Sequence, residues 1–229
     1  MRLAAAALAS ASLLALTPSD PPTLPEQLAD TGGGSQLITA QAPRGDSTSG
    51  TLTWWDRRGG RWVKAGSAAA RFGAKGLAEG GSRKQGSNTT PTGLYDLPFA
   101  FGIKAAPGGT AVPYRRVREE SWWCQDDDSR SYNRWTEPRP ADCRASESEH
   151  LIAYTTQYAY ALVVGFNYER PVRGRGAGIF LHVDGAGATA GCVSGSEDAM
   201  RRVLAWVDPA RRPRIAIGTV RGDMAITRY

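Results

Sequence analysis

Glycine and proline break this chain into short pieces. With 27 glycines and 14 prolines among 229 residues, few segments run far enough uninterrupted to make a long helix, since proline removes an amide donor and glycine costs backbone entropy inside a regular element. Between these breaks lie short runs rich in valine, isoleucine, threonine and aromatic side chains: "QLITAQA", "SGTLTWWDRRGGRWVKAG", "YAYALVVGFNY", "AGIFLHVDG" and "PRIAIGTVRGDMAITRY". Such runs predict strands and hairpins, with Gly59-Gly60 as the turn of one hairpin and a strand running from His150 through Tyr154, Tyr158 and Tyr160. Trp54, Trp55 and Trp62 are expected to pack on one sheet face as structural residues. A single segment, "SGSEDAMRRVLAWVDP", reads as helix. Ser194 or Ser196 caps it, Glu197 and Asp198 occupy its first turn, Met200, Val203, Leu204 and Val207 share one face, and Pro209 ends it. The fold expected is mainly β, a sandwich or barrel-like sheet structure with one short helix, and a chain of this length fits one such domain.

The N-terminus, "MRLAAAALASASLLALTPSD", carries one arginine and an apolar run from Leu3 to Leu16. That is the length of a secretory signal core and shorter than the roughly 20 apolar residues needed to span a bilayer. Residues 1–17 are therefore expected to be a signal peptide, residues 18–34 a Pro/Gly-rich linker, and residues 35–229 the folded domain. Membrane contact is expected only through an uncleaved N-terminal segment, and the location is extracytoplasmic. A net charge of +6 suits a polyanionic partner, but the arginines are scattered without a basic run, so no nucleic-acid partner is expected.

Export gives the three cysteines a meaning. Cys124 and Cys143 flank a polar, loop-like stretch and are expected to form a disulfide, closing a loop worth about 3 kcal/mol on chain-entropy grounds. No metal is expected, because His, Cys and acidic residues lack the short-spaced clusters of a metal site. "DDDS" (126–129) reads as a solvated acidic turn, and "RGRGAG" (173–178) as a loop instead of a dinucleotide site. Cys192 is left as the free thiol.

In "IFLHVDGAGATAGCVSG" (179–195), His182 stands on an expected strand and Cys192 follows a glycine-rich tip. A hairpin there would bring imidazole and thiol together as base and nucleophile. Gly191 permits a tight backbone path whose amides would meet a developing oxyanion. His182 and the helix that follows are expected to lower the thiol pKa.

These residues, with "NTTPTGLYDL" (88–97) upstream, resemble the L,D-transpeptidase catalytic domain (YkuD) family, in a secreted actinobacterial-type branch with an extra loop. The resemblance implies that Cys192 is the acylated nucleophile, His182 its base, that the Val183 carbonyl orients the imidazole, and that Gly191 and Thr189 shape the backbone beside the thiol. It further implies peptidoglycan stem peptides as substrates, 3–3 cross-linking or carboxypeptidation as the reaction, carbapenem-type inhibitors, a cell-wall location and no cofactor. Two departures stand out. Ala190 replaces the family's second histidine, and Ser194 its Asn or Arg after the cysteine. The competing functions are a catalytically impaired peptidoglycan-binding module and a thiol hydrolase of another amide.

Overall fold

A computed structural model describes residues 21–229; the expected signal peptide lies outside them. In chain order the strands are β1 (Gln36–Ala42), β2 (Ser49–Arg58), β3 (Arg61–Arg71), β4 (Leu77–Glu79), β5 (Thr90–Asp96), β6 (Ala100–Gly102), β7 (Tyr114–Arg116), β8 (Trp122–Cys124), β9 (Arg134–Thr136), β10 (Ser148–His150), β11 (Ala161–Val163), β12 (Phe180–Val183), β13 (Val193–Gly195) and β14 (Arg214–Thr219), with helices α1 (Leu24–Gln27) and α2 (Glu197–Trp206). Eleven strands form one mixed sheet in the order β4-β5-β14-β1-β2-β3-β13-β12-β11-β6-β7, and β10-β8-β9 form a small second sheet. The chain is thus mainly β, as its punctuation predicts.

The main sheet is covered on both faces. Ile38, Ala40, Ile215 and Ile217 look into the larger core with Met200, Val203 and Leu204 of α2, while Leu37 and Ala216 join Trp62 and Ile226 behind. Period-two alternation on β1 and β14 thereby fills two cores with apolar side chains. The tryptophans divide between them, contrary to expectation: Trp54 enters the larger core, Trp62 and Trp55 the other. Gly59 and Gly60 take φ of 55° and 82° at the β2–β3 turn, as a two-residue hairpin requires. Ser196 caps α2, its Oγ accepting from the Ala199 amide at 3.2 Å.

Three segments depart from the sequence reading. The stretch 18–34 holds α1, with Leu24 and Leu28 packed on the rear core. The strand expected from His150 through Tyr160 is instead two 3₁₀ turns, Leu151–Ala153 and Gln157–Ala159, before β11. Tyr158 turns into an aromatic cluster with Phe101 and Phe180, and burying that ring outweighs the alternating pattern. In "DDDS", Asp126 is buried, because Arg144 donates to it from Nε, Nη2 and its own amide at 2.6–2.8 Å. The Cys124–Cys143 disulfide closes the same loop, with Cα atoms 6.2 Å apart.

Candidate active site

β12 carries His182, and β13 begins one residue after Cys192. The two strands are neighbours, with Leu181 opposite Val193 and His182 opposite Ser194. Their pairing is parallel, which corrects the expected hairpin. After Val183 the chain leaves the sheet and crosses the end of β3, where the Thr189 amide donates to the Phe72 carbonyl (2.9 Å) and the Ala74 amide donates to the Thr189 carbonyl (2.8 Å). It then re-enters through Gly191 at φ +139°, where a Cβ would meet the Thr89 carbonyl at 2.9 Å. Only glycine makes that passage without strain.

Both side chains are buried, His182 6% and Cys192 8% exposed. His182 Nδ1 lies 2.8 Å from the Val183 carbonyl. A carbonyl only accepts, so Nδ1 carries the proton and Nε2 keeps its lone pair. Burial pushes the imidazole pKa down, against the raising influence of Val183 and Asp184, so the ring is neutral at pH 7. Cys192 Sγ donates to the Gly178 carbonyl and accepts from the Phe180 amide, each at 3.4 Å. Among the described residues no hydrogen bond joins Sγ to His182.

The thiol is not acidified. Burial pushes its pKa up to about 12, with the Glu149 carboxylate adding to the rise and the Phe180 amide and Arg83 opposing it. This reverses the expected depression, for two reasons. The imidazole is uncharged, and α2 begins only beyond β13, led by Glu197 and Asp198, whereas a helix dipole acts within about one turn of its end. The resting pair is a neutral thiol and a neutral imidazole.

Hydroxyls fix the backbone at the thiol. Thr189 Oγ1 donates to the Cys192 carbonyl (2.7 Å) and accepts from the Gly191 amide (3.1 Å); Thr90 Oγ1, from β5, donates to the same carbonyl (3.0 Å). The Gly191 amide, expected to face an oxyanion, is thus taken. The amides of Ala190 and Cys192 donate to no described group. Ser194 donates to Asp184 Oδ1 (2.6 Å), and Arg71 Nη1 donates to the carbonyls of Gly185 and Gly187. Ser194 therefore anchors the start of the loop.

Two clefts flank Cys192. One, of about 230 Å³, is lined by His182, Tyr154, Gln157 and Tyr158; the other, of about 140 Å³, by Arg83, Gln85, Asn88 and Gln125. Cys192, Ala190 and Glu149 belong to the walls of both. Glu149 accepts from Tyr158 Oη and, at 2.8 Å, from Gln125 Nε2; its burial raises its pKa beyond the lowering by these donors. Arg83, Glu149 and Tyr158 escape sequence reasoning, since no local spacing ties them to the thiol. Thr90 lay within the "NTTPTG" stretch without a role. Among the described residues no group of three or more His, Cys, Asp or Glu side chains is gathered to hold a metal ion.

The sequence profile of the L,D-transpeptidase catalytic domain, YkuD, matches residues 46–219, a span that contains His182 and Cys192. The chain belongs to this family. No curated protein matches the chain. Among solved structures it is similar to Bdellovibrio bacteriovorus Bd1075, with 17% identity and a TM-score of 0.39 over 83% of this chain and 50% of that one. The chain thus spans about half the length of that structure. Against the L,D-transpeptidase pattern, the two departures have different consequences here. Ala190 is exposed on the wall between the clefts, where a methyl obstructs the approach to Sγ less than a ring would. Ser194 is fully buried and serves the loop.

Proposed function

We propose that the protein is an extracytoplasmic cysteine acyltransferase acting on peptidoglycan stem peptides, with Cys192 as nucleophile and His182 as base. The observation that carries this reading is the placement of a neutral, oriented imidazole on β12 and of a buried, unpaired thiol immediately before the adjacent parallel strand β13, both lining one cleft, in a chain of the L,D-transpeptidase family. The disulfide and the apolar run Leu3–Leu16 support an oxidising, exported setting.

The neutral pair sets the order of events. A substrate amide enters beside Sγ; as the C–S bond forms, His182 Nε2 takes the thiol proton and the carbonyl electrons move to oxygen, facing the amides of Ala190 and Cys192. Collapse breaks the C–N bond, and the imidazolium returns its proton to the departing amine of the D-residue. The thioester at Cys192 then passes to the amine of a second stem, giving a cross-link, or to water, giving carboxypeptidation. His182 takes the incoming proton in either case.

A strained lactam needs only this machinery. Intact-protein mass spectrometry after carbapenem treatment is expected to show one adduct, mapping to Cys192 and missing in Cys192→Ala. A non-catalytic wall-binding module would bind isolated peptidoglycan yet remain unmodified at high drug concentration, with its thiol shown by alkylation to be reachable. That result would replace the enzymatic reading.

A further inference from the structure

The smaller cleft contains a buried positive charge with no counter-ion. Arg83 is 6% exposed, and its guanidinium donates only to carbonyls: Nε to Thr89 (2.7 Å) and Nη1 to Arg175 (3.2 Å). Nη2 has no acceptor among the described residues, and no carboxylate there pairs with Arg83. A buried charge is costly unless something satisfies it. The backbone nonetheless makes room for this one. A Cβ on Gly176 would come within 1.9 Å of Nη1, and one on Gly191 within 2.7 Å of Nη2. Both glycines take positive φ, 117° and 139°. Asn88 also lines this cleft, on a backbone held at φ 55°, and its carboxamide makes no described hydrogen bond. Glu149, the acidic residue in the lining, has its oxygens engaged by Tyr158 and Gln125.

The position of His182 says which part of a substrate reaches this cleft. Nε2 must hand its proton to the departing nitrogen, so that nitrogen lies on the His182 side, in the larger cleft. The acyl portion then extends across Cys192 into the smaller one. Nη2 lies against Gly191, the residue next to the nucleophile, within the reach of a single substrate residue of about 3.5 Å per backbone step plus its side chain.

Resting on the acyltransfer reading above, we propose that the smaller cleft is a carboxylate subsite: the Arg83 guanidinium and the Asn88 carboxamide hold a carboxylate on the acyl side of the scissile amide, one that stays with the thioester when the D-residue leaves. Arginine offers a planar pair of donors for such a group, and charge-assisted bonds of this kind are the strong ones.

The test uses the full chain and tetrapeptide donors that differ only by acid or carboxamide at one place: the side-chain carboxyl of a third-position diaminopimelate, the free carboxyl of the preceding glutamate, or the terminal D-alanine. Amidating one of the two acyl-side carboxyls is expected to lower kcat/KM of the unsubstituted protein at least about tenfold, and to cost nothing more in Arg83→Gln, since the charged partner is already gone. Terminal amidation is expected to affect both proteins by the same factor. Because Arg83 also ties down Thr89 and Arg175, its substitution bears on the fold as well as on the subsite, and binding of the same peptides to Cys192→Ala by calorimetry provides an independent reading: the acid is expected to bind at least about tenfold tighter than its acyl-side amide. Equal losses on every peptide, dependence on the terminal carboxyl alone, or turnover without acid–amide discrimination would each overturn the subsite and leave acyltransfer standing. Discrimination in binding by Cys192→Ala, with no thioester formed by the unsubstituted protein on any peptide, would support the subsite and sink the catalytic reading instead.

Discussion

A thiol whose pKa is pushed up to about 12 and an imidazole held below its ordinary value cannot rest as an ion pair, so Cys192 should behave as two different nucleophiles depending on who attacks whom. Toward iodoacetamide it is a buried thiol. Native protein should expose no other alkylatable cysteine, should react slowly at pH 7 and faster only in the alkaline range, and should show nearly the same rate in His182→Ala. Toward an acyl donor the imidazole must take the proton, so His182→Ala is expected to lower the acylation rate by about 10²–10⁴-fold. Stopped-flow or quenched acylation beside the alkylation time course checks both, and a thiol that alkylates readily at pH 6 only when His182 is present would restore the ion pair. The acid limb of activity follows with a definite sign. The base works as the neutral ring, and burial lowers its pKa, so kcat/KM should hold as pH falls through about 6.5, the ordinary imidazole value, and decline only below it.

At the scale of elements, the loop between β8 and β10 is held by a disulfide and by an ion pair between the buried Asp126 carboxylate and the exposed Arg144, and it brings Glu149 to the wall of both clefts. Arg144 holds the Asp126 carboxyl far below the usual carboxylate range. A depressed folded-state pKa contributes stability that is present above the unfolded value and lost as pH falls through the carboxylate range toward the folded one. Acid titration of stability should therefore be shallower in Asp126→Asn than in the unsubstituted protein, as followed by tryptophan fluorescence. Replacing both Cys124 and Cys143 by alanine is expected to cost about 3 kcal/mol in denaturant unfolding, and cost much smaller than that would mean the loop is ordered without its bridge. What the sequence discloses of these elements depends on range. The β2–β3 hairpin and α2 are legible because Gly59-Gly60, Ser196 and the Met200, Val203, Leu204 spacing are signals within one element. The parallel pairing of β12 with β13 is not, since it is imposed by bonds from Phe72 and Ala74 to Thr189, more than a hundred residues on in the chain. Arg83 and Glu149 stay hidden for the same reason, and the tyrosine run misleads because alternation alone does not show that Tyr158 is needed in a cluster.

Across the whole molecule, the two ends of the described chain are stitched together beside the rear core. The Ala29 amide donates to the Thr227 carbonyl and the Asp30 amide to that of Tyr229, while the Tyr229 hydroxyl bonds to Thr92 at 2.6 Å and reaches Glu79 at 3.0 Å. Ile226, fully buried, closes the rear core over Leu37, Trp62 and Ala216. These contacts support β1 and β14, whose neighbour β5 begins with Thr90, and Thr90 Oγ1 in turn holds the Cys192 carbonyl. The rear core thus stabilises the platform of the site without touching either cleft. Ile226→Ala removes most of a buried side chain and should cost about 2–5 kcal/mol, whereas Tyr229→Phe removes one hydroxyl from a partly buried network and should cost about 1 kcal/mol. Both are expected to leave the acylation rate per folded molecule unchanged at a temperature where the variants are still native. Denaturant midpoints measured together with active-site titration separate the two quantities. A fall in acylation rate that matched the loss of stability in Ile226→Ala would show instead that β5, and with it the Thr90 contact to Cys192, is set by the rear core and not by the bonds within its own sheet.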